Sequence, residues 1–202
     1  MTLIASLENV SKGFRGETVL RDVCLEVQDN ECIAITGPNG SGKSVLFRLL
    51  SRLLLPDHGR VVIDHAYLSK PGGFPSGFGV LIDRPGYIGS RSGLDNLLAL
   101  ARIRKVVSTE QVVTAMRAVG LDPGLRQTVN RYSLGMKQKL GLAQAFMENQ
   151  QVLLLDEPFN ALDEESRDAV HLLLKKFLDQ GRTILFTSHD SNDVMRLSTR
   201  HL

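Results

Sequence analysis

Long apolar runs are missing from this chain: none approaches the ~18 consecutive apolar residues that would cross a bilayer as a helix. Charge of one sign is equally scarce. Against 24 Lys and Arg stand 22 Asp and Glu, and a formal net charge of +2 is too small to draw the chain to nucleic acid or to an anionic membrane. Cysteine occurs twice, at Cys24 and Cys32, in strand-like stretches without metal-ligand spacing. That excludes a disulfide framework and a thiolate metal cage, and both cysteines are expected as small, reduced core residues. The start, MTLIASLENVSKGFRG, lacks the charged segment and apolar run of a secretory signal. The chain is therefore expected in the cytoplasm unless something else carries it to a membrane.

What is present is the composition of an ordinary globular domain. There are 202 residues, 43% of them hydrophobic and 23% charged, enough for one sizeable core. The first third alternates apolar and polar residues in LIASLENV and VLRDVCLEV, then runs as ECIAIT into a glycine-rich loop, which reads as strands joined by turns. From Ser44 the spacing becomes helical in SVLFRLLSRLLL, with Pro56 and Gly59 as the stop. VVID reads as a further strand. Residues 69–93, rich in Gly, Pro and Ser, form the loosest part of the chain. Beyond them GLDNLLALARIRK, STEQVVTAMRAVGL (with Ser108 as its cap) and SLGMKQKLGLAQAFME read as helices. VLLLDEP and TILFTSH are apolar runs of the kind buried on both faces of a parallel sheet. SRDAVHLLLKKFLDQG between them is a helix closed by Gly181, and SNDVMRLS begins a last helix. The expected fold class is α/β, with a mixed sheet, flanking helices and a helical insert. Residues 1–84 and 151–202 make the core, and 85–150 the insert.

One stretch carries chemistry on its own. GPNGSGKS at 37–44 lies between a strand and a helix, the context that distinguishes a phosphate-binding loop from a glycine-rich turn. Gly37, Gly40 and Gly42 let the backbone turn its N–H groups toward phosphate oxygens, and the following helix aims its positive end at the same anion. Lys43 would reach the β- and γ-phosphates, and the Ser44 hydroxyl would bind magnesium. Binding is not hydrolysis, and VLLLDEP supplies the second part. Asp156 and Glu157 leave the C-terminal end of a buried strand, where parallel sheets place ligands. Asp156 would hold the metal, and Glu157 would take a proton from the attacking water. His189, at the end of the next strand, is expected beside them.

In this order the motifs resemble the nucleotide-binding domain of ABC-type ATPases, over about residues 3–200. YSLGMKQ at 132–138 resembles that family's LSGGQ signature: Ser133 and Gly135 match it, while Tyr132, Leu134 and Met136 depart from it. NALD at 160–163 resembles the D-loop through Asp163, His189 the switch histidine, and Phe14 the aromatic residue that stacks on adenine. The resemblance implies ATP and Mg2+ as cofactors. Its nucleotide-binding set is Phe14, Gly37, Pro38, Asn39, Gly40, Ser41, Gly42, Lys43, Ser44 and Val45, with Lys43, Glu157 and His189 catalytic and Ser44 and Asp156 at the metal.

It also implies a head-to-tail partner, a homodimer or heterodimer, whose bound ATP meets Ser133, Leu134, Gly135 and Met136 of this chain. Asp83 stands where the family carries a glutamine that senses the metal, and is the further metal candidate. An acid there, with a signature close to YSLGMKQ, resembles the bacterial antibiotic and lantibiotic peptide exporters. On that resemblance the chain is an ATPase subunit on the inner face of the cell membrane, powering a separate integral permease and touching no nucleic acid. Arg84, Pro85, Gly86 and Tyr87 are the candidate coupling surface. The chain stops thirteen residues after His189, before edge strands the family usually adds. The alternative is a soluble ABC ATPase, such as those of iron–sulfur assembly.

Overall fold

A computed structural model describes residues 2–69, 73–83 and 85–202. The expected sheet layer is present as two sheets. β1 (Leu3–Phe14), β2 (Glu17–Gln28) and β4 (His58–Ile63) form a three-stranded antiparallel sheet with β1 in the centre. β3 (Cys32–Ile35), β5 (Phe78–Leu81), β6 (Val152–Leu155), β7 (Thr183–Thr187) and β8 (Arg200–His201) form a parallel sheet in the order β5-β6-β7-β3-β8. Every residue of β3, β6 and β7 is buried, which is what their unbroken apolar runs require once helices cover both faces.

The helices are α1 (Lys43–Leu50), α2 (Gly93–Arg104), α3 (Thr109–Ala118), α4 (Leu134–Phe146), α5 (Glu164–Asp179) and α6 (Ser191–Leu197). Ser108 and Gln111 form a reciprocal capping box on α3, and Gly181, at φ 82°, follows the end of α5. Leu97, Val112, Met116 and Leu140 close a core between α2, α3 and α4 that runs on into the sheet through Leu153 and Phe186. Each such side chain contributes about 1.5–3 kcal/mol on leaving water. No helix among the described residues is long and apolar enough to cross a membrane.

Three expectations need correction. Cys32 is buried but Cys24 is exposed: β2 is an edge strand with one face to solvent, and the Cys24 thiol donates to Asn9 Oδ1 at 3.3 Å. α1 stops at Leu50 instead of running to Pro56. Arg52 takes a left-handed conformation (φ 56°) that ends the helix, and Leu53 and Leu55 emerge exposed. Finally, the loose region holds a strand. FGVL at 78–81 pairs in parallel with Val152–Leu155 and is β5. At four residues between glycine-rich segments it is too short to show a period.

Candidate active site

β3, β6 and β7 are parallel neighbours, so the segments leaving their C-terminal ends share one edge of the sheet: the glycine loop, the Asp156–Glu157 pair, and Ser188–His189. The loop's glycines 37, 40 and 42 all have positive φ. Gly42 is constrained twice, because at φ 94° a Cβ would also lie 2.8 Å from Leu20 Cδ2. Gly42 is the N-cap of α1 and brings no capping side chain. Among the described residues, the N–H groups of Gly42, Lys43, Ser44 and Val45 find no acceptor within the chain. Unsatisfied donors at a helix start are an anion site. Lys43 Nζ lies against it, donating to the carbonyls of Gly37 at 2.7 Å and Pro38 at 3.0 Å.

A cavity of about 360 Å3 gathers most of the expected binding groups, Phe14, Asn39, Gly40, Gly42, Lys43, Ser44 and Val45, with Asp156 and Glu157; Val19 joins them, and Gly37, Pro38 and Ser41 are not among its lining residues. Phe14 lines this cavity at 43% exposure, with Lys12 Nζ over its ring 5.6 Å from the centroid. The Ser44 hydroxyl donates to Asp156 Oδ2, tying the loop to the end of β6. Asp156 Oδ1 accepts from the Thr187 hydroxyl at 2.7 Å, and the same Thr187 oxygen accepts from the Glu157 N–H at 2.8 Å. Thr187, fully buried at the end of β7, is a residue the sequence reading passed over. A lone hydroxyl closing an apolar strand was its only signal.

Glu157 has φ 49°, a left-handed conformation uncommon for a glutamate. Three contacts hold it there: Thr187, the Gln138 side chain donating to its carbonyl at 2.9 Å, and His189 Nδ1 at 3.1 Å from its Oε2. Gln138 is the second residue that was passed over. His189 is largely exposed and Glu157 largely buried, so the pair faces outward from the sheet edge.

The signature and D-loop residues lie off the Lys43 cavity, although Leu134 and Ala161 also line a cavity of about 480 Å3 shared with Asp156 and Glu157. Ser133, Leu134, Gly135 and Met136 line a separate cavity of about 500 Å3 with Ala161, Leu162 and Asp163. Ser133 is the N-cap of α4, its hydroxyl accepting from the Met136 N–H at 3.1 Å. Gly135 is required by a close approach: a Cβ would lie 2.7 Å from the Ala161 carbonyl. Asp163 caps α5, and the hydrogen bonds from the N–H and then the hydroxyl of Ser166 hold its carboxyl below the usual carboxylate range. None of these signature residues lines the Lys43 cavity of the same chain.

Asp83 lines a third cavity, about 480 Å3, together with Asp156 and Glu157. Its carboxylate is paired with Arg48, which lies four residues beyond Ser44 on α1. Pro85 and Tyr87 line the same cavity, and burial pushes the Tyr87 phenol up. Gly86 is exposed, and Arg84 lies outside the described residues.

The family model described as ABC transporter matches residues 20–160. YybJ of Bacillus subtilis (strain 168), an uncharacterised ABC transporter ATP-binding protein, is 35% identical over 94% of this chain and 87% of its own length. The bacitracin transport ATP-binding protein BcrA of Enterococcus faecalis is 32% identical over 98% of this chain. The taurine import ATP-binding protein TauB of Escherichia coli O157:H7 is 32% identical over 92% of this chain and 73% of its own length. The chain spans 65% of BcrA and 63% of YhcH, a further relative from Bacillus subtilis (strain 168). Among solved structures, the dimeric ABC transporter cassette MJ0796 superposes with a TM-score of 0.84 at 26% identity, covering 96% of this chain and 91% of that one. A second MJ0796 structure is of a post-hydrolysis state bound to ADP and phosphate. With a phosphate-binding loop, a paired aspartate and glutamate and a matching family model over most of its length, the chain belongs to the ABC transporter ATP-binding family and is an ATPase.

Proposed function

We propose that this chain hydrolyses ATP as one half of a head-to-tail pair of cassettes and drives a separate membrane permease from the inner face of the membrane. The observation that carries the reading is the continuity of one contact chain. Ser44 joins the phosphate loop to Asp156, Thr187 joins Asp156 to the backbone of Glu157, and Glu157 meets His189. The binding loop and the hydrolytic pair are thereby joined in one hydrogen-bonded unit.

Within it, Lys43 and the free N–H groups of α1 would take the phosphates while Phe14 stacks on the base. The Ser44 hydroxyl and Asp156 carboxylate are hard oxygen donors in contact, a set that fits magnesium, which would neutralise charge on the β- and γ-phosphate oxygens. Glu157 would orient a water and accept its proton as the water oxygen attacks the γ-phosphorus. The bond from that phosphorus to the bridging oxygen breaks, leaving ADP and phosphate. His189 would hold Glu157 in place and face the γ-phosphate. Asp83, held by Arg48, reaches this site through charge balance at α1 and through its shared cavity wall.

The signature cavity supports the partner. Ser133 and Gly135 do not line the Lys43 cavity of their own chain, and the N-terminus of α4 is a second place for phosphate. We assign them, with Asp163, to the ATP held by the partner's Lys43. In this arrangement residues 85–150 act as a helical subdomain around the signature, and residues 1–84 and 151–202 as the nucleotide-binding core. Export as the direction rests on Asp83 and on the Leu134 and Met136 form of the signature. The 32% identity to TauB favours import as a second reading.

Glu157→Gln tests the chemistry. It should bind ATP with unchanged affinity and turn it over roughly 100-fold or more slowly; turnover at the normal rate would remove Glu157 as the base. The partner is tested by tagging the chain in its host, solubilising membranes gently and identifying what copurifies. A multi-spanning protein supports the permease, and reconstituting the pair in vesicles reads the direction. Soluble partners alone would leave the ATPase standing without the transporter.

A further inference from the structure

His171 has no part in the site described above, yet from behind it links the segments that carry the two halves of the hydrolytic pair. It lies on α5, 4% exposed, with its ring stacked on Phe159 at 4.1 Å between centroids and 11° between planes. Phe159 is two residues beyond Glu157 on the segment leaving β6. On the other side His171 Nε2 lies 2.8 Å from Asp193 Oδ1, and Asp193, on α6, is 2% exposed. Against a carboxylate this ring nitrogen is the donor. Asp193 Oδ2 in turn accepts from the Ser188 hydroxyl at 2.9 Å, and Ser188 immediately precedes His189. The Asp190 N–H donates to the same Ser188 oxygen at 3.0 Å. Arg167, also on α5, holds Asp190 at 2.7 Å and stands 3.8 Å from Asp193. One imidazole thus spans the segment that carries Glu157 and the turn that carries His189.

Stability alone is a poor reason for this arrangement. A buried polar pair loses in desolvation much of what it gains in attraction, and an apolar pair of the same volume does as well or better. Among the described residues His171 Nδ1 is buried without a partner, a cost that packing would avoid. What the pair gives instead is a fixed distance between two segments, with side chains locked by stacking and by hydrogen bonds. Misplacing a reacting group by about 1 Å can cost on the order of 100-fold in rate.

We infer that His171, through Asp193 and Ser188 on one side and Phe159 on the other, is a positioning residue that sets His189 against Glu157 for ATP hydrolysis. The inference rests on the reading of Glu157 and His189 given above, and its test separates the two. His171→Leu and His171→Gln are made in the full-length chain, alone and with His189→Ala. Turnover is measured under single-turnover conditions, ATP affinity with a fluorescent analogue, and folding by thermal melts.

His171→Leu should lower turnover roughly tenfold and leave ATP affinity within about twofold, since the phosphate loop is untouched. His171→Gln keeps an N–H for Asp193 and should recover most of the rate. In the His189→Ala background, His171→Leu should add little further loss, because two residues acting through one contact are not additive. Losses that multiply, or a His171→Leu rate within twofold of the parent while His189→Ala is slow, would overturn the inference. If His189→Ala turned over ATP normally, the role given to His189 would fail, and this inference with it. Should His171→Leu not fold, Asp193→Asn, which weakens the same link from the other end, carries the same expectations.

Discussion

α1 and α4 both present their N-termini to phosphate in the proposed pair of cassettes, but they begin differently. α1 starts at Gly42, which has no side chain to give, and among the described residues its first N–H groups have no acceptor. α4 starts at Ser133, whose hydroxyl already accepts from Met136. The other four helices follow α4: Ser92, Ser108, Asp163 and Asp190 each cap their own helix. Among the described α-helices, then, the phosphate loop's helix is the one left open. A capped helix start is complete within the chain, whereas an open one is completed by a ligand. The difference separates a site that binds its ATP first from one that adds a contact when a partner arrives. Ser133 can do the latter because an accepting hydroxyl still has its own hydrogen to donate.

The largest effect comes from closing α1 in the manner of α5. Gly42→Asp would place a carboxylate where the phosphates belong, at a φ that disfavours it and against Leu20. ATP affinity should fall roughly 100-fold or more, read with a fluorescent analogue. Affinity within threefold of the parent would mean that the open N-terminus is not the anchor. Next comes Thr187→Val, nearly the same shape without the hydroxyl. It leaves the Glu157 N–H and one Asp156 oxygen unpaired, which should cost about 1–3 kcal/mol of stability and slow turnover more than it weakens ATP binding. Denaturant melts and single-turnover assays report the two. Equal losses in affinity and rate would make Thr187 a support of the fold alone.

Opening α4 is milder. Ser133→Ala removes a cap worth about 1 kcal/mol of stability. If Ser133 serves the partner's nucleotide, affinity for ATP at dilutions where the chain is monomeric should not change, while turnover at high protein concentration drops. A loss of affinity in the monomer would contradict the assignment across the pair.

The same contrast explains what was legible in the sequence. GPNGSGKS, the Asp156–Glu157 pair and His189 are each contiguous, and each sits where a strand hands over to another element. Their chemistry is therefore local, and their convergence follows from the parallel sheet. Ser108 and Gly181 were readable for the same reason. What stayed hidden depends on a second element. Thr187 matters only because β7 lies beside β6, the pairing of Asp83 shows only because Arg48 faces it, and Gln138 matters only because α4 reaches Glu157. Cys24 was misplaced because alternation does not say which strand lies at an edge. Leu53 and Leu55 look like more of α1 until Arg52 turns the backbone. The His171–Asp193 link, 22 residues apart on two helices, leaves no local pattern at all.

The smallest expected effect sharpens the comparison on the capped side. Asp163 closes α5 with a charge as well as a hydrogen bond, and Ser166 holds its carboxyl below the ordinary range. Asp163→Asn keeps a good cap and removes only the charge, which a helix N-terminus favours. A carboxyl whose pKa is depressed by folding contributes stability above its unfolded value of about 3.9, and loses it as pH falls through the lower folded value. The parent should therefore be slightly more stable than Asp163→Asn at pH 7 and at pH 5, with the gap narrowing below about pH 4. Denaturant melts across that range read the difference. A gap that persisted unchanged at pH 3 would assign the contribution of Asp163 to its hydrogen-bond geometry, as for Ser133, and not to its charge.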